Sequence, residues 1–247
     1  MLSKATIKFI KSLQVRKYRK QEQCFLIEGA KSVQELLASD FEVLKVVGTP
    51  EFFSGLKGRV KGEAIEVRES ALEGLGLFET NRSALAVARL KSNSSIEVSN
   101  LEYALVLDDI HDPGNLGTII RTADWYGIQK IIASPETADF YNPKVINATM
   151  GSFTRVNIFY TNLAHYLSRT VLPVYGAFLE GRDVHELRFA PGGLIVIGSE
   201  SHGISPALTP LVSEKITIPR FGAAESLNAA IATAIICDNL RRNQKNP

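Results

Sequence analysis

Two uninterrupted apolar runs constrain the fold of this chain more than any other feature of its sequence. Residues 104–107 (ALVL) and 193–198 (GLIVIG) contain no polar side chain. Strands that are buried on both faces have such continuous runs, and they occur where helices cover both faces of a parallel sheet. The run at 193–198 is the strongest strand prediction in the sequence. We therefore expect an α/β fold whose ligand-binding loops follow the carboxyl ends of its strands.

The second half of the chain continues this alternation of strands and helices. Residues 118–126 predict a short helix that Gly127 ends. Residues 227–240 predict a closing helix that is apolar almost all round. Such a helix must be covered, so we expect it at or near the interface of a homodimer. The other strands expected in this half are 130–133, 156–160, 174–177 and 215–218.

The first half predicts a smaller α/β unit with a mostly parallel or mixed sheet. A helix begins near Gly29, and the expected strands are 24–27, 41–47, 64–67 and 84–88. The segment 91–100 (KSNSSIEVSN) is polar and rich in serine, which is typical of a linker. The predicted domains are therefore 1–90 and 101–247, joined by a linker at 91–100.

Positive charge is concentrated at the start of the chain, although the formal net charge is only +2. The first twenty residues contain no Asp or Glu. The cluster surrounds Tyr18 and suits the phosphate backbone of a nucleic acid. A solvated helix face accounts for the charge equally well. The residues for which we predict contacts with nucleic acid are Arg16, Lys17, Arg19 and Lys20.

Several protein classes are disfavoured by the sequence. Lysines interrupt the apolar residues of the N-terminus, so no secretory signal is expected. The longest apolar run, 229–237, is far shorter than the roughly 20 residues of a membrane-spanning helix. Cys24 and Cys237 lie at opposite ends of the chain, which indicates neither a disulfide framework nor a zinc site. The four histidines do not have the spacing of metal ligands, so we expect no bound metal. Without a secretory signal or a membrane-spanning run, we expect a cytoplasmic protein.

The segment after the first apolar run, 108–123, contains two unusual polar residues. Pro113 and Gly114 make a turn, which Asn115 and then Arg121 follow. A helix beginning near Leu116 would place Arg121 in its second turn, where a guanidinium offers paired donors to a phosphate or carboxylate. Taken alone, each residue is better explained by an N-terminal helix turn with a surface arginine.

Two later segments also follow predicted strands. Glu200 lies in 198–204 (GSESHGI), just beyond the second apolar run. Ser226 and Asn228 lie in 218–230 (IPRFGAAESLNAA), before the closing helix. Helix capping by serine explains either segment when it is considered alone.

Together the three segments resemble, in order, the three motifs of the SpoU/TrmH family of RNA 2′-O-ribose methyltransferases, which belong to the SPOUT superfamily. The matching stretches are DPGNLGTIIRTA, IGSESHGI and IPRFGAAESLNAAIA. The resemblance covers residues 104–240. It extends to FLIEG at 25–29, which resembles the substrate-binding domain of rRNA-directed members.

The resemblance implies a fold, a cofactor and a substrate. It implies a C-terminal sheet with a deep trefoil knot, and a small N-terminal domain like ribosomal protein L30e. S-adenosylmethionine would be the methyl donor, and RNA would be the substrate, with rRNA favoured over tRNA. The implied cofactor residues are Gly198, Ile218 and Leu227. The implied catalytic residues are Asn115, Arg121, Glu200, Ser226 and Asn228.

The resemblance also implies roles for these residues. Accounts of the family often cast the arginine at the position of Arg121 as the base. Because arginine barely deprotonates, we instead assign Arg121 to the RNA phosphate and to the oxygen that becomes anionic. Glu200 would orient Arg121 or Asn115. The turn at 147–152 (NATMGS) departs from the family's serine- and alanine-rich pattern, so no ligand role is carried over to Thr149.

Two alternatives remain open. One is an RNA-binding protein that keeps the fold without catalysis. The other is a nicotinamide-dependent oxidoreductase, because Gly114 and Gly117 follow a strand and Glu136 lies about 20 residues further on. Asp112 stands where that pattern requires a glycine, and its charge would repel a pyrophosphate.

Overall fold

The chain divides into two units in the structure, a computed structural model that describes residues 2–56, 58, 60–78 and 81–244. The first unit contains the chain up to Ser92 together with Asp139–Thr154. The second contains Asn93–Ala138 and the chain from Arg155 onward. A segment from within residues 101–247 thus packs with the first unit. The division into domains 1–90 and 101–247 stays a prediction.

The first unit is built on a mixed four-stranded sheet of order β1-β4-β2-β3. Strand β4 is antiparallel to β1 and β2, and β3 is parallel to β2. The predicted strands are present with ends shifted by one or two residues. The strands are β1 (Cys24–Glu28), β2 (Val43–Gly48), β3 (Glu63–Glu66) and β4 (Ala84–Arg89). The helices are α1 (Lys4–Ser12), α2 (Arg16–Glu22), α3 (Ala30–Leu37), α4 (Pro50–Ser54) and α5 (Glu69–Leu72).

Aromatic side chains attach the segment 139–154 to strand β1. The Phe25 ring lies 4.7 Å from the ring of Tyr141 and 6.1 Å from that of Phe153. Phe41 completes the cluster at 5.5 Å from Phe25. Phe25 and Phe153 are almost fully buried, so these side chains form part of the core of the first unit.

Arg19 belongs to this core rather than to the basic surface. Its side chain is buried, and its guanidinium donates to the carbonyl oxygens of Leu13 and Gln14 at 3.0 and 2.8 Å. It also donates to Asp139 Oδ2 at 2.6 Å. The interpretation of Arg19 as a nucleic-acid contact is therefore corrected, because the side chain is buried and both of its terminal nitrogens donate inside the unit. Arg16, Lys17 and Lys20 are exposed, as a surface role requires.

The FLIEG stretch contains Glu28, whose side chain is buried. Glu28 accepts hydrogen bonds from the backbone N–H groups of Leu77 and Phe78 at 2.8 and 3.2 Å. Burial raises the pKa of this carboxyl above its usual value. A Cβ at Gly76 would lie 2.0 Å from Glu28 Oε2. Any side chain at position 76 would therefore clash with the Glu28 carboxylate, and this close contact requires glycine.

The second unit contains the parallel sheet that the apolar runs predict. Its strand order is β10-β8-β9-β5-β6-β7, and every neighbouring pair is parallel. The two apolar runs become the neighbouring strands β5 and β9, and their residues are buried. The strands are β5 (Tyr103–Leu107), β6 (Lys130–Ala133), β7 (Asn157–Tyr160), β8 (Val174–Asp183), β9 (Gly193–Ile197) and β10 (Glu214–Thr217). The remaining helices are α6 (Pro113–Trp125), α7 (Pro143–Ala148, in the first unit), α8 (Leu163–Leu167) and α9 (Ala229–Gln244).

Helix α6 begins five residues before its predicted start at Thr118. The Asp112 carboxylate accepts from the Asn115 backbone N–H at 2.8 Å and caps the helix. Pro113 follows at the first helical position, where its missing N–H costs nothing. Arg121 therefore lies in the third turn of α6, and not in the second.

Helix α9 begins at Ala229, whereas residues 227–240 were expected to be helical. It packs against α6. At its C-terminal end, Arg241 Nε donates to the carbonyl oxygen of Tyr126, directly after α6, at 2.6 Å. Ile236 and Cys237 are buried within the second unit, but Ile231 is 51% exposed. In the described part of the chain, no helix is long and apolar enough to cross a membrane.

Candidate active site

The loops after β5, β9 and β10 meet in a hydrogen-bonded network of three side chains. Asn115 Nδ2 donates to Glu200 Oε1 at 2.5 Å. Asn228 Nδ2 donates to the same oxygen at 2.8 Å and to Asn115 Oδ1 at 3.0 Å. One side chain from each motif therefore contributes to a single constellation at the carboxyl ends of the parallel strands, as expected for this class of sheet.

A tight loop fixes the position of Glu200. Backbone hydrogen bonds of 3.0 and 2.9 Å join Ser199 and Gly203 in both directions. A Cβ at Gly198 would lie 2.1 Å from the Gly203 carbonyl carbon. The closed loop thus requires glycine at 198 whether or not a ligand is bound.

Asn228 anchors the network to helix α9. Its Oδ1 accepts from the backbone N–H groups of Ala230 and Ile231 at 3.0 and 3.3 Å. Asn228, and not Ser226, therefore supplies the side-chain cap of this helix. The same side chain satisfies two N–H groups at the helix start and donates to Glu200 and Asn115.

One oxygen of Glu200 has no hydrogen-bond partner among the described residues. Oε1 accepts both amide donors, while Oε2 accepts none from this part of the chain. No lysine or arginine lies within 4 Å of this carboxylate among the described residues. The network is thus a negatively charged group held by two neutral amides.

A cavity of about 200 Å³ adjoins this network. Its lining includes Asn115 and Glu200 together with His111 and the acidic residues Asp109 and Asp112. Such a lining suits a cation and disfavours a phosphate. S-adenosylmethionine carries a positive sulfonium and an ammonium group, so the charge of this cavity fits it. The same charge argues against the pyrophosphate of a nicotinamide cofactor.

The loop 218–227 is the second region that fits a ligand. Among the described residues, the backbone N–H groups of 220–227 make no hydrogen bond within the chain. Ile218 is half-buried, and Leu227 is 46% exposed. A peptide segment with free donors and an uncovered leucine can accept an adenine ring, which needs backbone polar groups and an apolar surface.

Two predicted catalytic residues lie outside the network. Arg121 and Ser226 are exposed, and neither makes a side-chain hydrogen bond in the described chain. Of the two partners proposed for Glu200, the structure therefore selects Asn115 and not Arg121. Ser226, which the resemblance implies as a catalytic residue, likewise makes no hydrogen bond to the network.

Other candidate groups have structural roles. The buried Thr149 hydroxyl donates to the Ile146 carbonyl at 2.7 Å within the first unit. Both cysteines are buried and free. Burial raises the pKa of the Cys237 thiol to about 12, so this thiol is not ionised near neutral pH. No group of three potential metal ligands occurs among the described residues.

The sequence interpretation missed Asp108 and Asp109 as supports of the site. Asp108 Oδ2 accepts from the Ser205 backbone N–H at 2.7 Å, which connects the loops after β5 and β9. Asp109 has a φ of 58°, unusual for a residue with a side chain, and accepts from Ser134 Oγ at 2.7 Å. The sequence contained a sign of this role, because two consecutive acidic residues directly follow a buried strand.

Comparison with known proteins extends these observations over the whole chain. Residues 102–238 match the model of the SpoU rRNA methylase family, and residues 4–86 match the MRM3-like substrate binding domain. The 23S rRNA (guanosine(2553)-2′-O)-methyltransferase RlmP of Bacillus subtilis is 30% identical over 239 residues, with 95% of each chain covered. The 23S rRNA (uridine(2479)-2′-O)-methyltransferase of Streptomyces viridochromogenes is 34% identical over 197 residues, covering 74% of this chain and 69% of that protein.

Solved structures agree. A chain from Porphyromonas gingivalis assigned to the TrmH family of RNA methyltransferases has a TM-score of 0.89 at 39% identity, covering 98% of this chain and 99% of that chain. The SpoU methyltransferase AviRb of Streptomyces viridochromogenes, in complex with the cofactor AdoMet, has a TM-score of 0.86 at 25% identity, covering 99% of both chains. These matches confirm the predicted resemblance, the S-adenosylmethionine-dependent methyltransferase class and the N-terminal substrate-binding domain. The chain belongs to the SpoU rRNA methylase family.

Proposed function

We propose that this protein transfers the methyl group of S-adenosylmethionine to a ribose 2′-hydroxyl of rRNA. The observation that carries the proposal is the network in which Asn115, Glu200 and Asn228, one from each family motif, share hydrogen bonds beside a negatively charged cavity. Relatives aligned over most of the chain are named as 23S rRNA 2′-O-methyltransferases, which favours rRNA over tRNA.

The residues divide the work of the reaction. S-adenosylmethionine supplies an electrophilic methyl group on a sulfonium. The free backbone groups of 220–227, with Gly198, Ile218 and Leu227, would hold it. The carboxylates of the cavity would favour its positive charge. Arg121, which has no partner in the described chain, is left to bind an RNA phosphate and the oxygen that reacts.

Finer features of the family are also part of the proposal. We infer a deep trefoil knot in the C-terminal domain, and an N-terminal domain, residues 1–90, with the fold of ribosomal protein L30e. The proposal includes a homodimer with α9 at or near its interface, because Ile231 is exposed on this helix. Arg16, Lys17 and Lys20 are proposed to contact RNA, with tRNA as the less favoured substrate.

Two measurements test the proposed function. Calorimetry should detect binding of S-adenosylmethionine and S-adenosylhomocysteine but not of NAD. Mapping of 2′-O-methylation in rRNA from a strain lacking the protein should reveal one or more unmodified riboses, restored by the wild-type gene. Cofactor binding with an unchanged methylation map would favour an RNA-binding protein without catalysis, and tight binding of NAD would favour an oxidoreductase.

A further inference from the structure

We infer that Glu200 Oε2 accepts the proton of the ribose 2′-hydroxyl during methyl transfer. This inference rests on the proposed function and goes beyond it by naming the base. Glu200 lines the cavity, and Oε2 is the oxygen that has no partner in the described part of the chain. The two amides on Oε1 fix the carboxylate, which limits the directions in which Oε2 can point.

The other groups of the site are less suited to this role. Arg121 remains a cation and cannot take a proton. Asp112 and Asp109 each accept one hydrogen bond through Oδ1, from the Asn115 backbone N–H and from Ser134 Oγ, and neither bond orients the carboxylate by side chains of the other motifs. His111 also lines the cavity, but no hydrogen bond in the described chain orients its ring. Glu200 is therefore the acceptor in this cavity that side chains from both other motifs orient.

The proton transfer balances without any further reactant. A lone pair of the 2′-oxygen forms the bond to the methyl carbon, and the carbon–sulfur bond breaks with its electron pair remaining on sulfur. The electrons of the O–H bond remain on oxygen, and the proton passes to Oε2 and then to water. The oxygen becomes strongly acidic as its new bond forms, so a carboxylate is a sufficient base.

Glu200→Gln is a sharp test because of how the network is built. Asn115 Nδ2 and Asn228 Nδ2 both donate to one oxygen. The glutamine carbonyl can take that position and keep the network, and its amide group then replaces Oε2. The substitution thus places a donor where an acceptor stood and removes the base with little change in shape.

The experiment uses the full chain with rRNA from cells that lack the protein. We expect E200Q to unfold at the wild-type temperature and to bind S-adenosylhomocysteine within about threefold of wild type. Its single-turnover rate should fall at least about a hundredfold, the low end for loss of a general base. The residual rate should rise about tenfold per pH unit as hydroxide takes the proton, with a smaller slope in wild type. Glu186→Gln makes the same change at an exposed carboxylate outside the cavity lining, so it is the matched control and should keep the rate.

Other outcomes would overturn the inference. A rate in E200Q within about threefold of wild type would remove Glu200 as the base. A loss of S-adenosylhomocysteine affinity as large as the loss of rate would make Glu200 a cofactor-binding residue instead. A large loss of rate in His111→Gln with E200Q unaffected would transfer the role to His111. If wild type itself neither binds cofactor nor methylates rRNA, the proposed function fails, which is a distinguishable result.

Discussion

Substitution of Asn228 separates two roles that one side chain combines. Its Oδ1 caps α9, and its Nδ2 donates to Glu200 and Asn115. Asn228→Ala removes both roles, whereas Asn228→Asp keeps the cap and removes the donors. Loss of a cap costs about 1 kcal/mol of unfolding free energy. The aspartate variant keeps the cap, because Asp caps as well as Asn and its charge suits a helix N-terminus, so any stability that it loses comes from the contact with Glu200.

The loss of activity should follow the donors and not the cap. In Asn228→Asp, a carboxylate replaces an amide that lies 2.8 Å from Glu200 Oε1. Two charges at that distance repel by about 1.5 kcal/mol even in a water-like dielectric, and a hydrogen bond to a charged group is lost as well. We expect each variant to transfer methyl groups at least about tenfold more slowly.

Urea unfolding and single-turnover methylation would measure the two effects on the same preparations. Asn228→Ser is the neutral control, because serine caps a helix but has no amide to donate. Stable aspartate and serine variants with wild-type rates would refute the reasoning. Asn228 would then be only a helix cap, and the network would not contribute to catalysis.

Three further predictions concern other parts of the chain. Arg121→Ala should bind S-adenosylmethionine normally but transfer the methyl group at least about a hundredfold more slowly in single-turnover assays. Arg121→Lys should restore little of this rate, whereas near-normal rates would remove Arg121 from the site. Asp139→Asn should lower the unfolding free energy by about 3 kcal/mol in urea titrations, because it leaves the buried Arg19 guanidinium without its carboxylate; a loss below about 1 kcal/mol would mean that the two carbonyls suffice. Replacing Arg16, Lys17 and Lys20 by alanine should flatten the salt dependence of RNA binding by roughly 0.7 in log–log slope per lost contact to single-stranded RNA, whereas unchanged affinity would indicate a solvated helix face.

The parallel sheet could be predicted because its signal is local. Each residue of 104–107 and 194–197 is apolar and buried, so composition alone identifies the strands. Helix starts were less accessible, since Asp112 and Asn228 resemble loop residues until their side chains are seen to cap. The error displaced Arg121 by one helical turn.

The residues of the site could be predicted from the sequence, but the hydrogen bonds between their side chains could not. Strand order brings three loops together, whereas the pairing of Asn115 with Glu200 depends on atomic positions that no spacing encodes. The burial of Arg19 was equally inaccessible, because its partner Asp139 is 120 positions away in sequence. Charged residues are normally exposed, and nothing local marks this exception.

The packing of residues 139–154 against strand β1 means that one continuous stretch of chain does not supply the whole first unit. A gene segment ending at Ser92 would encode the four strands of its sheet but not Tyr141 and Phe153, which lie against Phe25. It would also leave Arg19 buried without Asp139. Moving this unit onto another methyltransferase domain would therefore require that residues 139–154 be exchanged together with the chain up to Ser92.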